Sequence, residues 1–382
     1  MTEKLFYVDS HMDTFSARVL SCECTENGYD VVLDRTAFFP EGGGQSADTG
    51  LLNQVEVVDA KEKEDIVYHQ TKSPLKIGEI VQGKIDVAKR FSRMQQHTGE
   101  HIVSGIIHRK YGYHNVGFHL GTEAVTMDFD GSITREQLKE IELLANEAVV
   151  KDLDIRISYP SKELLERMEY RSKIAIDGQV RIVTIPDYDV CACCAPHMKK
   201  TGEIGMIKLI GIQNYKGGVR ISMLCGFRAL ADYNQKEEST KAISVELSAK
   251  EEKLVEAVQH QKEEVTRLKW MMANLQSQIF QYKVKEIPSN QEKVSLLEPK
   301  LNNDSARELA NMVLDQGVKR CIIFFGMEED SCRYVLASRT EDVRGLGKEL
   351  NQAFAGRGGG KPEMVQGYLT GKIIEMEKRA LE

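Results

Sequence analysis

The pattern of apolar and polar residues predicts a β-rich first segment. Residues 1–86 contain short runs that alternate or are rich in β-branched residues, separated by Gly, Asn and Asp; examples are 18–20, 29–34 and 55–60. Such runs are typical of short strands joined by turns. We therefore predict that 1–86 forms a small antiparallel β-barrel or sandwich.

The next segment, 87–235, mixes helical and strand patterns. The residue spacing predicts a helix that starts near 90 and runs past 107, a strand over 122–129, and a helix over 134–151 whose first turn carries capping residues. We interpret 87–235 as an α/β domain that follows the β domain.

A long helix is predicted over 236–285, within a helical segment that extends to 288. Gln261 is the one polar member of a series with alternating spacings of four and three: Leu254, Val258, Gln261, Val265, Leu268, Met272, Leu275, Ile279 and Tyr282. This spacing is typical of a coiled-coil seam. It fits a dimeric coiled coil and an amphipathic helix packed on its own chain equally well.

The final segment, 289–382, is predicted to be a second α/β domain. Strand patterns over 318–325 and 334–339 precede a helix around 342–354, which leads into a glycine-rich stretch. That stretch offers backbone amides and cations that can contact phosphate: Arg357, Gly358, Gly359, Gly360 and Lys361. A solvated surface would have a similar composition.

Length and charge limit the possible classes of protein. The chain has 382 residues, which predicts two to four domains. It contains no run of eighteen apolar residues and no apolar stretch near Met1, so we expect a cytoplasmic protein with no membrane span and with reduced cysteines. The net charge of −7 argues against a broad nucleic-acid-binding surface but is compatible with a local basic groove.

Two pairs of metal-ligand residues are the strongest chemical signal. His97 and His101 are four residues apart, as are Cys193 and His197. Imidazole and thiolate ligands of this kind suit a tetrahedral Zn²⁺ site. A zinc protease would need Glu directly after the first histidine, where this chain has Thr98, so that class is excluded.

A glycine-rich loop over 36–50 is the second candidate site element. Its three consecutive glycines, Gly42 to Gly44, allow backbone to approach a ligand closely. Thr36, Gln45 and Asp48 supply polar side chains around them, so we regard these three as candidate catalytic residues. An ordinary hairpin would also account for the glycines.

These motifs, in this order, resemble the long form of the stand-alone alanyl-tRNA editing proteins, the AlaX family. They are equally similar to the editing and C-terminal parts of alanyl-tRNA synthetase, and the resemblance covers nearly the whole chain. It includes the segment 201–205 and the glycines of 358–360. The family usually has Gly-Gly-Thr between the metal-binding Cys and His, whereas this chain has Cys194-Ala195-Pro196, so we expect a different loop shape.

The resemblance implies a trans-editing hydrolase that removes serine or glycine from mischarged tRNA(Ala), without an aminoacylation core. It implies one Zn²⁺ per subunit and a homodimer formed through 236–288 and the C-terminal domain. That last domain, 289–382, would be a DHH-associated domain that binds tRNA. Thr36 matches the threonine that senses the serine hydroxyl, and we expect Gln45 and the loop amides to stabilise the developing oxyanion.

Two other functions remain open at this point. Threonyl-tRNA synthetase editing domains share the HxxxH and CxxxH core, so the substrate could be seryl-tRNA(Thr). The chain could also be a catalytically silent tRNA-binding dimer in which zinc is only structural.

Overall fold

The computed structural model describes residues 1–172 and 179–382. The chain forms two compact units, Met1–Ala242 and Ile243–Glu382. Within the described ranges, no helix combines the length and apolar character needed to cross a membrane. The finer division into four domains stays a prediction.

The first part of the chain is built from strands that close on themselves. In chain order its elements are β1 (Glu3–Lys4), α1 (Leu5–Val8), β2 (Thr14–Thr25), β3 (Gly28–Leu33), β4 (Arg35–Thr36), β5 (Gly50–Leu52), β6 (Val55–Lys63), β7 (Ile66–Thr71) and β8 (Ile80–Ile85). Six of them form an antiparallel ring in the order β2, β3, β7, β6, β5, β8. Alternate residues of these strands, such as Val19, Val31 and Leu33, fill the ring interior. The predicted β-rich segment is confirmed.

The middle of the first unit is a sheet covered by two long helices. Its elements are α2 (Val87–Tyr111), β9 (Asn115–Leu120), β10 (Val125–Phe129), α3 (Arg135–Val150), β14 (Ile207–Tyr215) and β15 (Gly218–Cys225). The strands pair antiparallel in the order β14, β15, β10, β9. Thr134 and Gln137 form the predicted capping box of α3. One apolar core joins this sheet to both helices.

A small sheet lies between α3 and β14 in the sequence. It consists of β11 (Arg156–Ser158), β12 (Ile182–Ile185) and β13 (Asp189–Ala192), accompanied by α4 (Lys162–Leu165) and a 3₁₀ turn over Thr201–Ile204. Strands β12 and β13 form a hairpin in which Ile182 pairs with Ala192. The loop after β13 carries the second pair of predicted metal ligands.

The prediction of one helix over 236–285 was wrong. Helix α5 (Gly226–Glu246) ends before Ser248, which adopts a left-handed backbone conformation with φ of 48°. A 3₁₀ turn over Glu251–Lys253 follows, and α6 (Leu254–Lys285) then begins. The heptad series lies entirely within α6, and its members from Val265 to Tyr282 are exposed in the single chain.

The second unit is an α/β fold that continues from α6. Its remaining elements are β16 (Lys293–Glu298), α7 (Asn303–Asp315), β17 (Arg320–Glu328), β18 (Ser331–Ser338), α8 (Arg344–Ala353), β19 (Arg357–Lys361), β20 (Met364–Thr370) and α9 (Ile373–Leu381). The strand order is β16, β17, β18, β20, β19, with only β16 and β17 parallel. Phe280 and Val284 anchor the end of α6 in the apolar core beside α7. The predicted C-terminal α/β fold is confirmed.

Candidate metal centre

Helix α2 places His97 and His101 one turn apart on one face. The helix begins at the N-cap Asp86, whose carboxylate accepts a hydrogen bond from the Lys89 backbone N–H. It ends at Gly112, which adopts the left-handed conformation typical of a C-terminal cap. Both imidazoles are buried, each with about 2% of its surface exposed.

Two glycines allow α2 to lie unusually close to its neighbours. A Cβ atom on Gly99 would lie 2.4 Å from Cys225 Sγ on strand β15. A Cβ atom on Gly105 would lie 2.2 Å from the carbonyl oxygen of Tyr188, which directly precedes β13. Any larger residue at either position would push the helix away, so the ligand-bearing helix is fixed between these two strands.

The second pair of ligands lies in the loop that follows β13. The Cys193 backbone N–H donates to the carbonyl of Arg181 at 3.1 Å, which extends the β12–β13 hairpin by one residue pair. Four residues further on, His197 enters the same cavity. The next residue, Met198, donates its backbone N–H to Thr98 Oγ1 at 3.1 Å. The loop is therefore tied directly to α2.

The four predicted ligands converge. The ligand atoms of His97, His101, Cys193 and His197 all lie within 4.8 Å of one another. Cys193 Sγ is 3.5 Å from His97 Nε2 and 3.4 Å from His197 Nε2. A tetrahedral Zn²⁺ ion, with Zn–N near 2.0–2.1 Å and Zn–S near 2.3 Å, separates nitrogen and sulfur ligands by about 3.5 Å. This donor set and spacing could hold a metal ion and fit zinc.

The other nitrogen of each ring, Nδ1, has a protein partner. His97 Nδ1 lies 3.2 Å from Gln45 Oε1, and His101 Nδ1 lies 2.9 Å from Asp189 Oδ2. His197 Nδ1 lies 3.2 Å from the Thr98 hydroxyl. At His97 and His101 the partner oxygen can only accept, which places a proton on Nδ1, whereas the Thr98 hydroxyl can donate to or accept from His197 Nδ1. These contacts orient the rings, and the Nε2 atoms of His97 and His197 lie beside Cys193 Sγ.

The surroundings of the cluster shift the pKa values of its ligands in different directions. Burial opposes protonation of His101, but its hydrogen bonds with Asp189 and Cys193 raise its pKa to about 9. Burial opposes ionisation of Cys193, but electrostatic interaction with His97 and His197 and hydrogen bonds with His101 and His197 outweigh it and hold the pKa of the thiol well below its usual value. Burial also opposes ionisation of Asp189, but hydrogen bonds from His101 and from Arg171 hold the pKa of its carboxyl below its usual value. Zinc sites commonly contain a thiolate ligand and an ionised carboxylate that accepts a hydrogen bond from a ligating histidine.

The glycine-rich loop lies against the ligands, and Gln45 connects the two. Gly43 and Gly44 both adopt left-handed backbone conformations, with φ of 60° and 80°. A Cβ atom on Gly44 would lie 2.7 Å from the ring of Phe118, and that ring packs against His97 with centroids 5.0 Å apart. Gln45 is buried, and its Nε2 has no hydrogen-bond partner within the described residues. The loop therefore presents a free amide donor beside the cluster.

Thr36 lies inside the strand ring, where its hydroxyl contacts His69 and Phe38 rather than the predicted metal ligands. Its hydroxyl is 2.7 Å from His69 Nε2 and accepts the backbone N–H of Phe38 at 3.1 Å. Since His69 Nδ1 lies 3.0 Å from the carbonyl of Val31, which can only accept, Nδ1 carries the proton. The Thr36 hydroxyl must then donate to Nε2, and its remaining capacity is as an acceptor.

Asp48 holds the glycine loop in place. It is buried and forms an ion pair with Arg90 of α2, whose Nε is 2.8 Å from Asp48 Oδ2. The same carboxylate oxygen accepts the backbone N–H of Phe39 at 2.7 Å. Both ends of the loop are thereby attached to the helix that carries the histidines.

The five predicted tRNA-contacting residues lie in the second unit. Arg357–Lys361 form β19, an exposed edge strand that pairs only with β20 among the described strands. Their glycines are placed on a regular strand, with Gly358 opposite Gly367. This strand belongs to the unit Ile243–Glu382, whereas the metal cluster belongs to the unit Met1–Ala242.

Sequence reasoning missed the residues that orient the ligands. Asp189 and Arg171 form a buried pair in which Arg171 Nε and Nη2 donate to the two carboxylate oxygens at 2.7 and 2.8 Å. Thr98 served only to exclude a protease, although its hydroxyl contacts His197. The available signal was a carboxylate four residues before Cys193, because metal-bound histidines commonly need an acceptor.

Two families match parts of this chain. Residues 180–222, which contain Cys193 and His197, match the threonyl and alanyl tRNA synthetase second additional domain. Residues 10–89, which contain the glycine-rich loop, match the class II (A) tRNA synthetases. The solved C-Ala domain of Aquifex aeolicus alanyl-tRNA synthetase matches 25% of this chain and 95% of that domain, with 20% identity and a TM-score of 0.22.

Full-length relatives extend these matches. The alanine–tRNA ligases of Pyrococcus abyssi and Pyrococcus furiosus are 31% and 32% identical to this chain; each alignment covers all of this chain and 43% of the ligase. The chain thus spans less than half the length of these ligases. The alanyl-tRNA editing protein AlaX-L of Pyrococcus horikoshii is 27% identical over 398 residues, covering 100% of this chain and 98% of that protein. The resemblance predicted from the motifs is confirmed: along its whole length, this chain is similar to the alanyl-tRNA editing protein AlaX-L and to a segment of alanine–tRNA ligase.

Proposed function

We propose that this chain is an aminoacyl-tRNA deacylase that edits alanyl-tRNA. Its reaction would be hydrolysis of the ester that joins serine or glycine to tRNA(Ala), with release of the free amino acid and the tRNA. The observation that carries this proposal is the convergence of four metal ligands beside the unpartnered amide of Gln45. Similarity to AlaX-L along both chains supports the choice of reaction and of tRNA.

The proposed cofactor is one Zn²⁺ ion per subunit, held by His97, His101, Cys193 and His197. When bound, zinc would supply fixed positive charge beside the ester. Four protein ligands are characteristic of a closed zinc site. We therefore assign the hydrogen-bond donors of the proposed reaction to this chain's own residues.

Gln45 is the proposed donor to the ester carbonyl. Its Oε1 faces His97, so its Nε2 remains free for a substrate oxygen. Attack by water makes that oxygen negative, and a positioned donor then binds it more strongly than in the ground state. Asp48 and Arg90 would act indirectly, by fixing the loop that carries Gln45.

Thr36 is the proposed contact for the serine hydroxyl. Because its own proton is directed to His69, it would serve as an acceptor. Alanine has no hydroxyl to offer, so it would lack the hydrogen bond that serine forms with this oxygen, and the site would favour serine. Glycine would have to be favoured by its smaller size alone, which provides weaker discrimination.

Binding of tRNA and pairing of subunits are assigned to the second unit. The exposed strand Arg357–Lys361 carries two cationic side chains, and its three glycines leave the backbone uncovered. Both features suit binding of the tRNA phosphates. The exposed heptad series of α6 supports a homodimer formed through the predicted segment 236–288 together with the C-terminal domain. We further propose a cytoplasmic location, in keeping with a role in translation.

The decisive experiment measures deacylation of Ser-tRNA(Ala), Gly-tRNA(Ala), Ala-tRNA(Ala) and Ser-tRNA(Thr), with and without a chelator. We expect hydrolysis of the first two and little of the third. Gln45→Ala should slow hydrolysis by about 10²–10³-fold while tRNA binding changes little. Gln82→Ala, on the exposed side of β8, is the matched control and should behave as the native protein. Equal losses of rate and binding in Gln45→Ala would refute its assigned role.

Two outcomes would favour other functions. Preferred hydrolysis of Ser-tRNA(Thr) would replace the alanine system with the threonine system. A folded protein that binds zinc and tRNA but hydrolyses none of the four substrates would be the silent dimer. Cys193→Ala distinguishes this case further, because in an enzyme it abolishes hydrolysis while circular dichroism shows a retained fold.

A further inference from the structure

We propose that Arg181, which is not among the metal ligands, is a positioning residue for the metal loop Cys193–His197. It holds the loop backbone and so sets the direction in which Cys193 presents its sulfur atom. This inference deepens the proposed function, since it rests on the metal centre, but it concerns a side chain to which no role has been assigned so far.

Three hydrogen bonds join Arg181 to the loop. Its Nη1 donates to the carbonyl of Cys193 at 2.8 Å and to the carbonyl of Ala195 at 3.0 Å. Its own backbone carbonyl accepts the Cys193 N–H at 3.1 Å. The backbone of the sulfur ligand is therefore held on both its donor and its acceptor side by one residue.

The loop needs such a donor because its sequence prevents regular structure. Pro196 has no N–H and restricts the conformation of Ala195, so the loop does not continue as a helix. Ala195 is fully buried, and a buried carbonyl without a donor is costly. The Arg181 guanidinium supplies donors from outside the loop to two carbonyls that are two residues apart.

The Arg181 side chain is buried, and its neighbours among the described residues offer it no ion pair in place of the loop carbonyls. Its surface is only 8% exposed, and no carboxylate within the described residues lies at ion-pair distance from it. Its guanidinium carbon lies 5.2 Å from the centre of the Tyr7 ring, and its buried Nε has no hydrogen-bond partner in the described part of the chain. Burying a guanidinium without a carboxylate costs free energy. We infer that the loop geometry it enforces is the compensating advantage.

The side chain of Ala195, in the middle of the loop, packs against apolar residues, so Arg181 supplies the polar restraint on this part of the loop. Ala195 packs with Phe6 and Phe39 in a small buried cluster, with Tyr7 and Cys193 at its edge. Apolar contacts are non-directional, so they exclude water without fixing which way the carbonyls point. The hydrogen bonds from Arg181 provide that direction.

The test uses metal binding to the full-length protein in the absence of tRNA. Zn²⁺ affinity is measured by competition with a chelator, and the Co²⁺-substituted protein is examined by visible absorption, which reports the geometry of a nitrogen and sulfur site. Arg181→Met keeps the apolar stem and removes the donors, so we expect affinity to fall by about 10–100-fold and the cobalt bands to shift. Arg220→Met is the matched control, because Arg220 also lies over a tyrosine ring but pairs with Asp128 instead of the loop.

Arg181→Lys provides a second, milder change. It keeps the charge and several donors but loses the planar guanidinium, so we expect a smaller fall in affinity with altered cobalt bands. Native affinity and native cobalt bands in folded Arg181→Met would overturn the proposal, and if that variant does not fold, the same result in Arg181→Lys would do so. Because neither readout involves tRNA, weakened metal binding supports the proposal even if the protein deacylates no tRNA.

Discussion

Replacing Asp189 by Asn tests how far the ligands depend on the groups behind them. Asp189 accepts hydrogen bonds from His101 Nδ1 at 2.9 Å and from Arg171 at 2.7 and 2.8 Å. Its side chain is about 2% exposed and that of Arg171 about 12%. Asn has one acceptor oxygen and one NH₂ group, so it must direct a donor at either His101 or Arg171, each of which is itself a donor.

The substitution should lower both the free energy of unfolding and the metal affinity. Leaving Arg171 without its carboxylate partner in a buried setting should lower the free energy of unfolding by about 3–5 kcal/mol. Loss of the acceptor at His101 Nδ1 should lower metal affinity by about 10–100-fold. The metal-dependent part of the stability, which grows as RT ln(1 + [metal]/Kd), should then fall by about 1.4–2.7 kcal/mol at a fixed excess of zinc.

The assay is urea unfolding with a chelator and with excess Zn²⁺, combined with chelator competition. Asp128→Asn is the control, since Asp128 also binds an arginine, Arg220, through two hydrogen bonds of 2.6 and 2.7 Å. No histidine contact to Asp128 is present in the described residues, so the control should lose some stability and retain full metal affinity. If Asp189→Asn lost stability but bound zinc as tightly as the native protein, the idea that Asp189 orients His101 would be refuted.

Three further predictions concern stability and assembly. Burial lowers the pKa of His69 to about 4 from its ordinary value near 6.5, so the unfolded chain binds the extra proton first; stability should fall by about 2 kcal/mol between pH 7 and pH 5, and His69→Gln should flatten that fall in urea titrations. Gly105→Ala should cost about 1–3 kcal/mol in the free energy of unfolding, because its Cβ would meet backbone 2.2 Å away, whereas Gly345→Ala, with open space around it, should be neutral or stabilising. Leu268→Glu should convert the proposed homodimer to a monomer in light scattering, while Asn274→Glu, off the heptad seam, should not. A dimeric mass for Leu268→Glu would exclude α6 as the interface.

The cluster of candidate ligands was predictable because each pair has local spacing. His97 and His101 needed only a helix, and the apolar pattern around them predicted one that the structure confirms as α2. Soft ligands rarely cluster for other reasons, so Cys193 and His197 could be joined to them across about ninety residues of sequence. The metal-binding chemistry of these four side chains predicted that the two pairs meet, without any prediction of how the fold brings them together.

The supporting contacts were not predictable, because they depend on packing between elements. Asp189 meets Arg171 only because the segment of Arg171 bridges to Cys191 of β13, and the spacing of the two residues in the sequence does not predict that pairing. Thr36 was expected at the site, yet the strand ring directs its hydroxyl to His69. The interruption after Glu246 also lacked a signal, since neither Gly nor Pro occurs in 247–253.

The hydrogen bonds at the three Nδ1 atoms have a consequence for how the protein would acquire its ion. Folding has already fixed the ring orientation of His97, His101 and His197. An arriving ion would meet three imidazoles that already face inward, and no ring would have to turn. Uptake by the folded apoprotein should therefore be limited by access and by dehydration of the ion, and not by rearrangement of the ligands.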